Sequence, residues 1–331
     1  MSFKKIKNKR VFVIAEIGSN FDQDINKAFK LIDVAKTCGA DAVKFQLFKA
    51  NKMYEKKKNP TAYNIFKSIE LNPKWLPKLK KYAEKKKIIF FASAFDKESI
   101  KMLVSLKVGI IKIASSEITK LHELGYAASF KIPLIISVGM ADLADISEAV
   151  EICKNSGNKQ ICILHSSSLY PTLPVDVNMS NIIKLSKIFN LPVGYSDHTL
   201  GNTAAISAVS LGATVIEKHI TLDKKSKGPD HFYAAEPNEF KKYIKDIRET
   251  EYILGDGTIG INTKVKKNAR RKSIFISKNI KKNEILSKNN LVIKSDSRGI
   301  EIRFLSSLYG YKLKDTLKKN SPLMWKNINF Q

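Results

Sequence analysis

The chain has 331 residues, of which 44% are hydrophobic, and it carries a formal net charge of +27 at pH 7. This length and apolar content are enough for one large α/β domain with a smaller companion. No apolar run approaches the roughly 20 residues of a membrane span, and the basic start MSFKKIKNKR leads into a predicted strand, not into the apolar segment of a signal peptide. Widely spaced cysteines without a CxxC motif suit a reducing compartment. The sequence therefore predicts a soluble, cytoplasmic protein without a membrane partner.

The excess of lysine raises the hypothesis of a nucleic-acid-binding protein. However, the lysines are spread over almost every predicted helix and loop, and the aromatic residues do not interleave with them as a base-stacking platform requires. We therefore expect no nucleic-acid partner. A positive field of this size instead attracts small anions such as phosphorylated metabolites.

Apolar runs and helical patterns alternate along the first 254 residues. The predicted strands are Val11–Ala15, Ala42–Phe45, Ile88–Ala92, Gly109–Ala114, Pro133–Ile136, Gln160–Leu164, Leu191–Gly194 and Thr214–Ile216. The predicted helices are Ile25–Thr37, Trp75–Lys86, Lys97–Leu106, His122–Ser129, Asp142–Asn155, Val177–Phe189, a small-residue segment from Asn202 to Gly212, and Asn238–Leu254. Eight strand–helix units in roughly 250 residues predict a TIM (β/α)8 barrel. The polar insertion 49–73 is long for a βα loop and should fold over the strand tips as a partial lid.

Polar residues whose side chains can take part in binding or catalysis lie at or just past the carboxyl end of the predicted strands. They are Glu16, Lys44, Gln46, Lys112, Ser115, Glu117, Ser137, Tyr170, Ser196, His198, His219 and Asp230. In a TIM barrel these strand ends form one rim, where active sites are found. The pattern therefore predicts a single active site at this rim.

The stretch from Val193 to His219 shows the pattern most clearly. Two apolar runs, separated by about one helix of sequence, end in VGYSDHTLG and ATVIEKHITLD. Neighbouring parallel strands lie roughly 5 Å apart, so His198 and His219 at equivalent tips can share one divalent cation. We interpret them as metal ligands; the structural alternative is that one histidine caps a helix and the other lies satisfied in the core.

Two lysines on separate strands, Lys44 and Lys112, point to an anion site. Together with the rim serines they provide point charges and neutral donors that suit a phosphate. Two inward charges would repel each other unless an anion joined them. Glu16 and Glu117 are candidate acid/base groups, with a salt bridge from Glu117 to Lys112 as the structural alternative.

The pattern changes beyond Leu254. A Gly- and Lys-rich segment, GDGTIGINTKVKKNARR, reads as a linker, and SIFISKNIKKNEILSKNNLVIKS reads as short strands joined by Asn-Lys turns. We therefore divide the chain into a barrel at 1–256, a linker at 257–272 and a small domain at 273–331. A domain of about 60 residues is small for independent stability and should pack against a barrel.

Several motifs together resemble the sialic acid synthase family. VIAEIGSN, ADAVKFQ, KIASSEI, IISVGM, GYSDHTLG, VIEKH and GPDH occur in this order, and RKSIFISKNIKKNEILSKNNLVIK, GYKL and LMWKNI resemble the family's SAF, or antifreeze-like, domain. The resemblance covers essentially the whole chain. It implies condensation of phosphoenolpyruvate with an open-chain N-acylated hexosamine, giving a nonulosonic acid and phosphate. It also implies a domain-swapped homodimer in which the SAF domain of one subunit caps the barrel of the other.

The same resemblance implies roles for the rim residues. The family's phosphoenolpyruvate site corresponds to Lys44, Lys112, Ser115, Ser137, Ser168 and Ser196. His198 and His219 would bind Mn²⁺ or Mg²⁺, which polarises the sugar aldehyde. Glu117 resembles the acid/base residue, and the sugar-contacting positions correspond to Glu16, Gln46, Tyr170 and Asp230.

Three departures from the family pattern concern the substrate. Ser168 stands where Asn or Thr is usual, and GPDH is followed by FYAAEP, unlike the commonest continuation. The position of the family's acyl-contacting arginine is Ser295, with Arg298 as the candidate substitute three residues later. The sugar therefore stays open between N-acetylmannosamine, a diacetamido sugar leading to legionaminic or pseudaminic acid, and another acylated hexose.

Two other classes of protein remain as alternatives. A phosphoenolpyruvate-dependent synthase acting on a phosphorylated aldose would share the anion site and the metal, but it should lack the SAF domain and need a second phosphate site. A non-catalytic sugar- or nucleic-acid-binding protein would tolerate loss of Glu117 and of both histidines.

Overall fold

The computed structural model describes residues 10–260 and 271–330. The chain divides into two compact units, Met1–Asp256 and Gly257–Gln331. Most of the predicted linker, at 257–272, lies outside the described residues, so the three-part division stays a prediction. Within the part of the chain that the structure describes, no helix is long and apolar enough to cross a membrane.

The first unit is a closed barrel of eight parallel strands in sequential order, which confirms the predicted TIM barrel. The strands are β1 (Phe12–Gly18), β2 (Ala42–Leu47), β3 (Ile89–Ala94), β4 (Ile111–Ile113), β5 (Leu134–Ser137), β6 (Ile161–Ser166), β7 (Val193–Asp197) and β8 (Val215–His219). The helices are α1 (Ile25–Cys38), α2 (Ala50–Met53), α3 (Pro60–Ser68), α4 (Leu76–Lys85), α5 (Lys97–Ser105), α6 (Leu121–Ser129), α7 (Leu143–Asn155), α8 (Asn181–Phe189), α9 (Thr203–Ser210) and α10 (Pro237–Leu254).

Helix α1 shows why the outer layer forms where the periodicity predicts it. The Asp24 side chain accepts a hydrogen bond from the Asn26 backbone N–H at the amino end, and Gly39 closes the other end in the left-handed conformation, with φ +94°. Buried apolar residues lie between these caps at helical spacing, namely Ala28, Leu31, Ile32 and Ala35. The helix therefore packs this stripe against the strands.

Several strands run further than the sequence predicts. The predicted ends at Ala15, Gly194 and Ile216 were too early, because β1, β7 and β8 continue to Gly18, Asp197 and His219. Parallel pairing explains the difference. Backbone hydrogen bonds continue through polar residues as readily as through apolar ones, so polarity does not mark where a strand ends. Many of the predicted rim residues are consequently the last residues of the strands and are held by the sheet.

The predicted start of one helix, at Val177, was wrong. A short 3₁₀ helix, Pro174–Asp176, precedes α8, and Asn178 then adopts a left-handed conformation with φ +46°. Such a residue interrupts a right-handed helix, and asparagine tolerates it better than most residues. Helix α8 therefore begins only at Asn181.

The insertion after β2 folds as two short helices, α2 and α3, held by one carboxylate. Glu70 is buried and accepts hydrogen bonds from the Ala50 backbone N–H at 2.7 Å and from Lys67 Nζ at 3.0 Å. Its residues Met53, Tyr54, Ile65, Phe66 and Ile69 line the cavity at the strand ends. The insertion thus covers part of the rim, as predicted.

The amino-terminal half of the barrel interior is a compact apolar cluster. Its buried members are Phe12, Ile14, Ala42, Phe91, Ile110, Ile135, Cys162, Leu164 and Val215. The neighbouring strand approaches so closely that a Cβ on Gly194 would lie 2.3 Å from the Val215 carbonyl oxygen. Only glycine fits there, and the strands close around a filled core.

The second unit has its own small core. Strand β9 (Lys272–Ile276) pairs antiparallel with β10 (Leu291–Ser295), and β11 (Lys312–Leu313) pairs with β12 (Ile328–Asn329). The buried cluster consists of Ile274, Ile276, Ile280, Leu286, Leu291, Ile300, Leu308, Leu313, Leu323 and Ile328. The short strands predicted for this region are present.

Candidate active site

The carboxyl ends of the barrel strands surround a cavity of about 630 Å³. Most of the predicted site residues line it: Lys44, Gln46, Lys112, Ser115, Ser137, Ser168, Tyr170, Ser196, His198, His219 and Asp230. They come from strands far apart in sequence, and barrel closure brings them together. The structure therefore assembles one site from nearly all the residues that the rim argument selected.

The two lysines lie in a buried layer of charges at the floor of this cavity. Lys44 Nζ pairs with the Glu16 carboxylate, lies 3.7 Å from Glu217 Oε1 and is 3.0 Å from Ser93 Oγ. Lys112 Nζ lies 3.2 Å from both carboxylate oxygens of Glu217. The expectation that the lysines need a bound anion to offset their repulsion was therefore wrong, because the protein supplies two carboxylates of its own.

The pKa values of the two carboxylates are moved apart by this layer. Burial raises the pKa of Glu16 to about 7, despite the opposing effect of Lys44. Burial also acts to raise the pKa of Glu217, but Lys112 and Lys44 outweigh it and lower that pKa to about 2. Burial lowers the pKa of Lys112 to about 8. Glu217 is thus a fixed negative charge, whereas Glu16 can hold or release a proton near neutral pH.

The two predicted metal ligands face each other above this layer. The ring centroids of His198 and His219 are 5.6 Å apart. Nδ1 of His198 lies 2.8 Å from the Ser167 carbonyl oxygen, and Nδ1 of His219 lies 3.4 Å from the Tyr233 hydroxyl. Burial lowers the pKa of both imidazoles, that of His219 to about 3. Both rings are therefore neutral and can keep Nε2 unprotonated, as metal ligation requires.

The histidine pair fits a cation that keeps open coordination positions. Within residues 10–260 and 271–330, no group of three or more His, Cys, Asp or Glu side chains forms a metal-binding cluster. Two imidazoles alone do not saturate Mn²⁺ or Mg²⁺, which take oxygen ligands and waters at their other positions. The donor set therefore suits a metal that also binds substrate.

Asp230 is fixed beside His219 from two sides. Its carboxylate accepts hydrogen bonds from Ser19 Oγ and from the Tyr233 hydroxyl, each at 2.9 Å. Gly18 allows this approach, since it has φ +54° and a Cβ there would lie 2.8 Å from an Asp230 oxygen. Burial acts to raise the pKa of Asp230, but the positive charge that His219 carries at low pH, together with these hydrogen bonds, outweighs it and lowers the pKa. Asp230 is consequently an ionised acceptor at the cavity wall.

Two further predicted residues complete this side of the cavity. Gln46 Nε2 donates to Glu16 Oε1 at 3.2 Å. The Tyr170 ring lies 4.4 Å from the His198 ring and 5.3 Å from that of Tyr233, measured between centroids. Both side chains line the cavity and can contact a ligand bound at the histidines.

The serines form a group of hydroxyls around the charged layer. Ser115 Oγ accepts from the Gly139 backbone N–H at 3.1 Å and lies 3.3 Å from Ser166 Oγ. Ser196 Oγ donates to Glu217 Oε1 at 2.9 Å. Ser137 and Ser168 line the same cavity. Neutral donors therefore surround the lysines, which is the environment that a phosphate group needs.

Four site residues were missed or left without a role by the sequence argument: Ser93, Ser166, Glu217 and Tyr233. For Glu217 a signal existed in the sequence. Glu217 stands two residues before His219 on the same strand, and because side chains alternate, it had to point inward as His219 does. Ser93 carried no such signal, since only the strand register places it beside Lys112.

Glu117 is not among the residues that line the cavity, although it directly follows two that do. The Glu117 carboxylate accepts from Ser116 Oγ at 2.9 Å and lies 2.5 Å from Lys120 Nζ. Its neighbours Ser115 and Ser116 line the cavity. The proposed alternative partner, Lys112, was wrong, since Lys112 pairs with Glu217. Arg298 belongs to the second unit, where its exposed guanidinium binds Asp296 at 2.6 Å.

Comparison with known proteins agrees with this geometry. The profile of the NeuB family matches residues 31–259, and that of the SAF domain matches residues 271–329. The chain belongs to the NeuB family. The predicted family resemblance is thereby confirmed for both parts of the chain.

Relatives of this NeuB-family chain are similar over nearly their whole length. It is 40% identical to the N,N'-diacetyllegionaminic acid synthase of Campylobacter jejuni, over 88% of this chain and 92% of the relative. It is 38% identical to the N,N'-diacetyllegionaminic acid synthase of Legionella pneumophila, over 96% and 94%. The crystal structure of N-acetylneuraminic acid (sialic acid) synthetase from Leptospira borgpetersenii, in complex with citrate, is similar with a TM-score of 0.75 and 36% identity, covering 79% of this chain and 90% of that one.

Proposed function

We propose that this protein condenses phosphoenolpyruvate with the open-chain aldehyde form of an N-acylated hexosamine, giving a nonulosonic acid and phosphate. One observation carries the proposal above all. A buried lysine pair with surrounding hydroxyls and a pair of neutral histidines lie in the same rim cavity of a NeuB-family barrel. One part suits a phosphate and the other suits a carbonyl-activating cation.

Phosphoenolpyruvate would occupy the floor of the cavity. Lys44 and Lys112 supply the positive charge, and Ser115, Ser137, Ser168 and Ser196 supply neutral donors. At rest, Glu16 and Glu217 balance the two lysines. Protonation of Glu16, whose pKa is about 7, gives the floor a net positive charge, so we expect binding of the anion to draw a proton onto Glu16.

The cation would be held by Nε2 of His198 and of His219. Their neutral state and their Nδ1 contacts support this assignment. When bound, Mn²⁺ or Mg²⁺ supplies Lewis-acid polarisation of the sugar aldehyde. The aldehyde end of the sugar therefore belongs above the histidines, within reach of phosphoenolpyruvate on the floor.

The sugar would be oriented by the polar side of the cavity. The ionised Asp230 accepts hydrogen bonds from sugar hydroxyls, while Gln46 and Tyr170 present a donor and an aromatic face. Holding both substrates in one cavity replaces a bimolecular encounter with an oriented pair, which can contribute several kcal/mol to catalysis.

The reaction then needs one new carbon–carbon bond, one new carbon–oxygen bond from water, and one broken carbon–oxygen bond to the phosphate. C3 of the enol attacks the aldehyde carbon, whose oxygen takes up a proton and becomes a hydroxyl. Water adds at C2 and loses a proton, and the tetrahedral intermediate collapses to the keto acid and phosphate. Glu16, which can carry a proton near neutral pH, and Glu117 are the proposed acid/base groups.

A free sugar fits the cavity better than a phosphorylated one. Among the cavity-lining residues that the structure describes, Lys44 and Lys112 are the only Lys or Arg. Both belong to the proposed phosphoenolpyruvate site at the floor of the cavity. A second phosphate would therefore meet no further cation there. We favour a diacetamido hexose, because the two legionaminic acid synthases are 40% and 38% identical to this chain.

We further propose a domain-swapped homodimer, in which the second unit of one subunit brings Arg298 to the cavity of the other. Support comes from the exposed guanidinium of Arg298 and from exposed apolar residues at the rim, such as Met140 and Tyr170. We propose a cytoplasmic location, which is consistent with the free cysteines Cys38, Cys153 and Cys162.

The proposal is tested by phosphate release from phosphoenolpyruvate with a panel of free and 6-phosphorylated N-acylated hexoses, with product masses determined in parallel. We expect phosphate release with a free acylated sugar and a product mass equal to sugar plus pyruvate. Release with phosphorylated sugars alone would refute the free-sugar assignment. No release with any sugar by the folded protein would refute the condensation itself.

A further inference from the structure

A second charged cluster lies directly behind the two histidines, on the outer face of the barrel strands. Asp197 is the last residue of β7 and directly precedes His198, and Lys218 precedes His219 at the end of β8. Because side chains alternate along a strand, the histidines face the cavity while Asp197 and Lys218 face the helix layer. These two outward residues are direct partners in the β7–β8 register.

We call Asp197, Thr199, Lys218 and Tyr243 the Asp197 network. Their exposed fractions are 1%, 4%, 3% and 1%. Asp197 Oδ2 accepts from Lys218 Nζ at 3.2 Å and from the Tyr243 hydroxyl at 2.8 Å. Asp197 Oδ1 accepts from the Thr199 backbone N–H at 2.8 Å and from its hydroxyl at 2.7 Å. Both carboxylate oxygens are therefore fully used.

The network encloses the backbone of His198. The Asp197 carboxylate accepts from the Thr199 backbone N–H, so it fixes the peptide that follows His198. Lys218 Nζ also donates to the Thr199 carbonyl oxygen, which joins the residue before His219 to the residue after His198. In addition, Nζ lies 5.4 Å from the centroid of the Tyr243 ring. The two strand tips are thus connected by directional bonds outside the barrel.

Stability alone does not explain this arrangement. A buried ion pair gains little over well-packed apolar residues of the same size, because both charges lose their hydration. What it adds is direction, since each bond constrains an angle as well as a distance. We propose that Asp197, Lys218 and Tyr243 are positioning residues, which hold His198 and His219 at the separation that one divalent cation requires.

This inference rests on the proposed two-histidine metal site and deepens it. None of the hydrogen bonds of the network ends on an imidazole or on the cavity floor, so its effect should appear in metal affinity first. Residues that orient metal ligands without binding the metal typically change affinity by about 10- to 100-fold when altered. We expect a change in metal affinity of about tenfold, the lower end of this range, because the Asp197 network acts through the backbone.

The test is a titration of the chelator-treated full-length protein with Mn²⁺. Electron paramagnetic resonance measures both the affinity and the spectrum of the bound ion. Tyr243→Phe removes one hydrogen bond and keeps the ring. Lys218→Met removes one charge, and Asp197→Asn combined with Lys218→Met removes both charges without leaving either unpaired. His198→Ala marks loss of the site itself. Lys242→Met is the matched control, because Lys242 forms an exposed ion pair with Asp246 at 2.6 Å on α10.

We expect about threefold weaker Mn²⁺ binding for Tyr243→Phe and about tenfold weaker binding with an altered spectrum for the two lysine variants. Turnover should return at high Mn²⁺ in these variants but not in His198→Ala, and Lys242→Met should match wild type. Wild-type affinity and spectrum in folded Tyr243→Phe and in the folded double variant would overturn the positioning role alone. Equal Mn²⁺ affinity of wild type and His198→Ala would overturn the metal site and the positioning role together.

Discussion

The two halves of the barrel interior are built from the same strands but have opposite chemistry. On β8, Val215 lies in the apolar cluster, Glu217 two residues later lies in the charged layer, and His219 ends the strand at the rim. On β2, Ala42 and Lys44 repeat this order. Every second residue of a strand points into the barrel, so residues two positions apart belong first to a stabilising layer and then to a reactive one. Changes in the two halves should accordingly have different effects.

The largest effect is expected at the rim. His198→Ala and His219→Ala should each lower turnover by about 10⁴-fold, since losing the cation removes several kcal/mol of transition-state stabilisation. The thermal unfolding midpoint should change little, because both rings border the cavity. His122→Ala, on the exposed face of α6, is the control and should keep full turnover. Substantial metal-independent turnover in either rim variant would contradict the assignment.

A change in the apolar half should show the reverse pattern. Phe91 is fully buried there, so Phe91→Ala should lower the free energy of unfolding by about 4 kcal/mol, measured by urea denaturation. Phe91→Leu should lower the free energy of unfolding by less than Phe91→Ala, because leucine fills more of the space that the phenylalanine ring leaves. Turnover per folded molecule should stay close to wild type in both. A large loss of turnover in stable, folded protein would show that the two halves are not separable.

The charged layer between them predicts opposite pH dependences for two carboxylates. Burial raises the pKa of Glu16 to about 7, so ionising it disfavours the folded state, and stability falls as pH rises from 4.5 to 7. Relative to wild type, the free energy of unfolding of Glu16→Gln should rise by up to about 3 kcal/mol between pH 4.5 and pH 7. Lysines hold the pKa of Glu217 at about 2, so its contribution is present above 4.5 and is lost as pH falls towards 2. Glu217→Gln should therefore destabilise at pH 7, and urea denaturation at several pH values distinguishes the two signs.

The smallest effect concerns a hydroxyl of the same layer. Ser93 Oγ lies 3.0 Å from Lys44 Nζ, and Ser93→Ala removes this contact without disturbing the charges. We expect the binding free energy of phosphoenolpyruvate to weaken by about 1 kcal/mol. This should appear as a roughly fivefold higher KM for phosphoenolpyruvate with kcat nearly unchanged. Ser207→Ala on α9, whose hydroxyl binds only its own helix, is the control. An unchanged KM would remove Ser93 from the anion site.

Much of this arrangement could be predicted from the sequence, because it follows from local periodicity. Alternating apolar runs and helices predict the barrel, and equivalent positions after two apolar runs predict the histidine pair. The pairing of charges could not be predicted in this way. Lys112 meets Glu217 across 105 positions of sequence, and only strand register brings them together. The salt bridge from Glu117 to Lys112, given as the alternative to an acid/base role, was wrong because spacing along the chain does not show which charges meet; Glu117 pairs with Lys120, three residues away.

We propose that the reactive half of the barrel holds one divalent cation between two neutral histidines. Crystals grown with Mn²⁺ and phosphoenolpyruvate, measured at the manganese absorption edge, test it most directly. We expect one anomalous peak within about 2.5 Å of Nε2 of both His198 and His219. A manganese peak elsewhere in the cavity, or none at full occupancy of phosphoenolpyruvate, would contradict it.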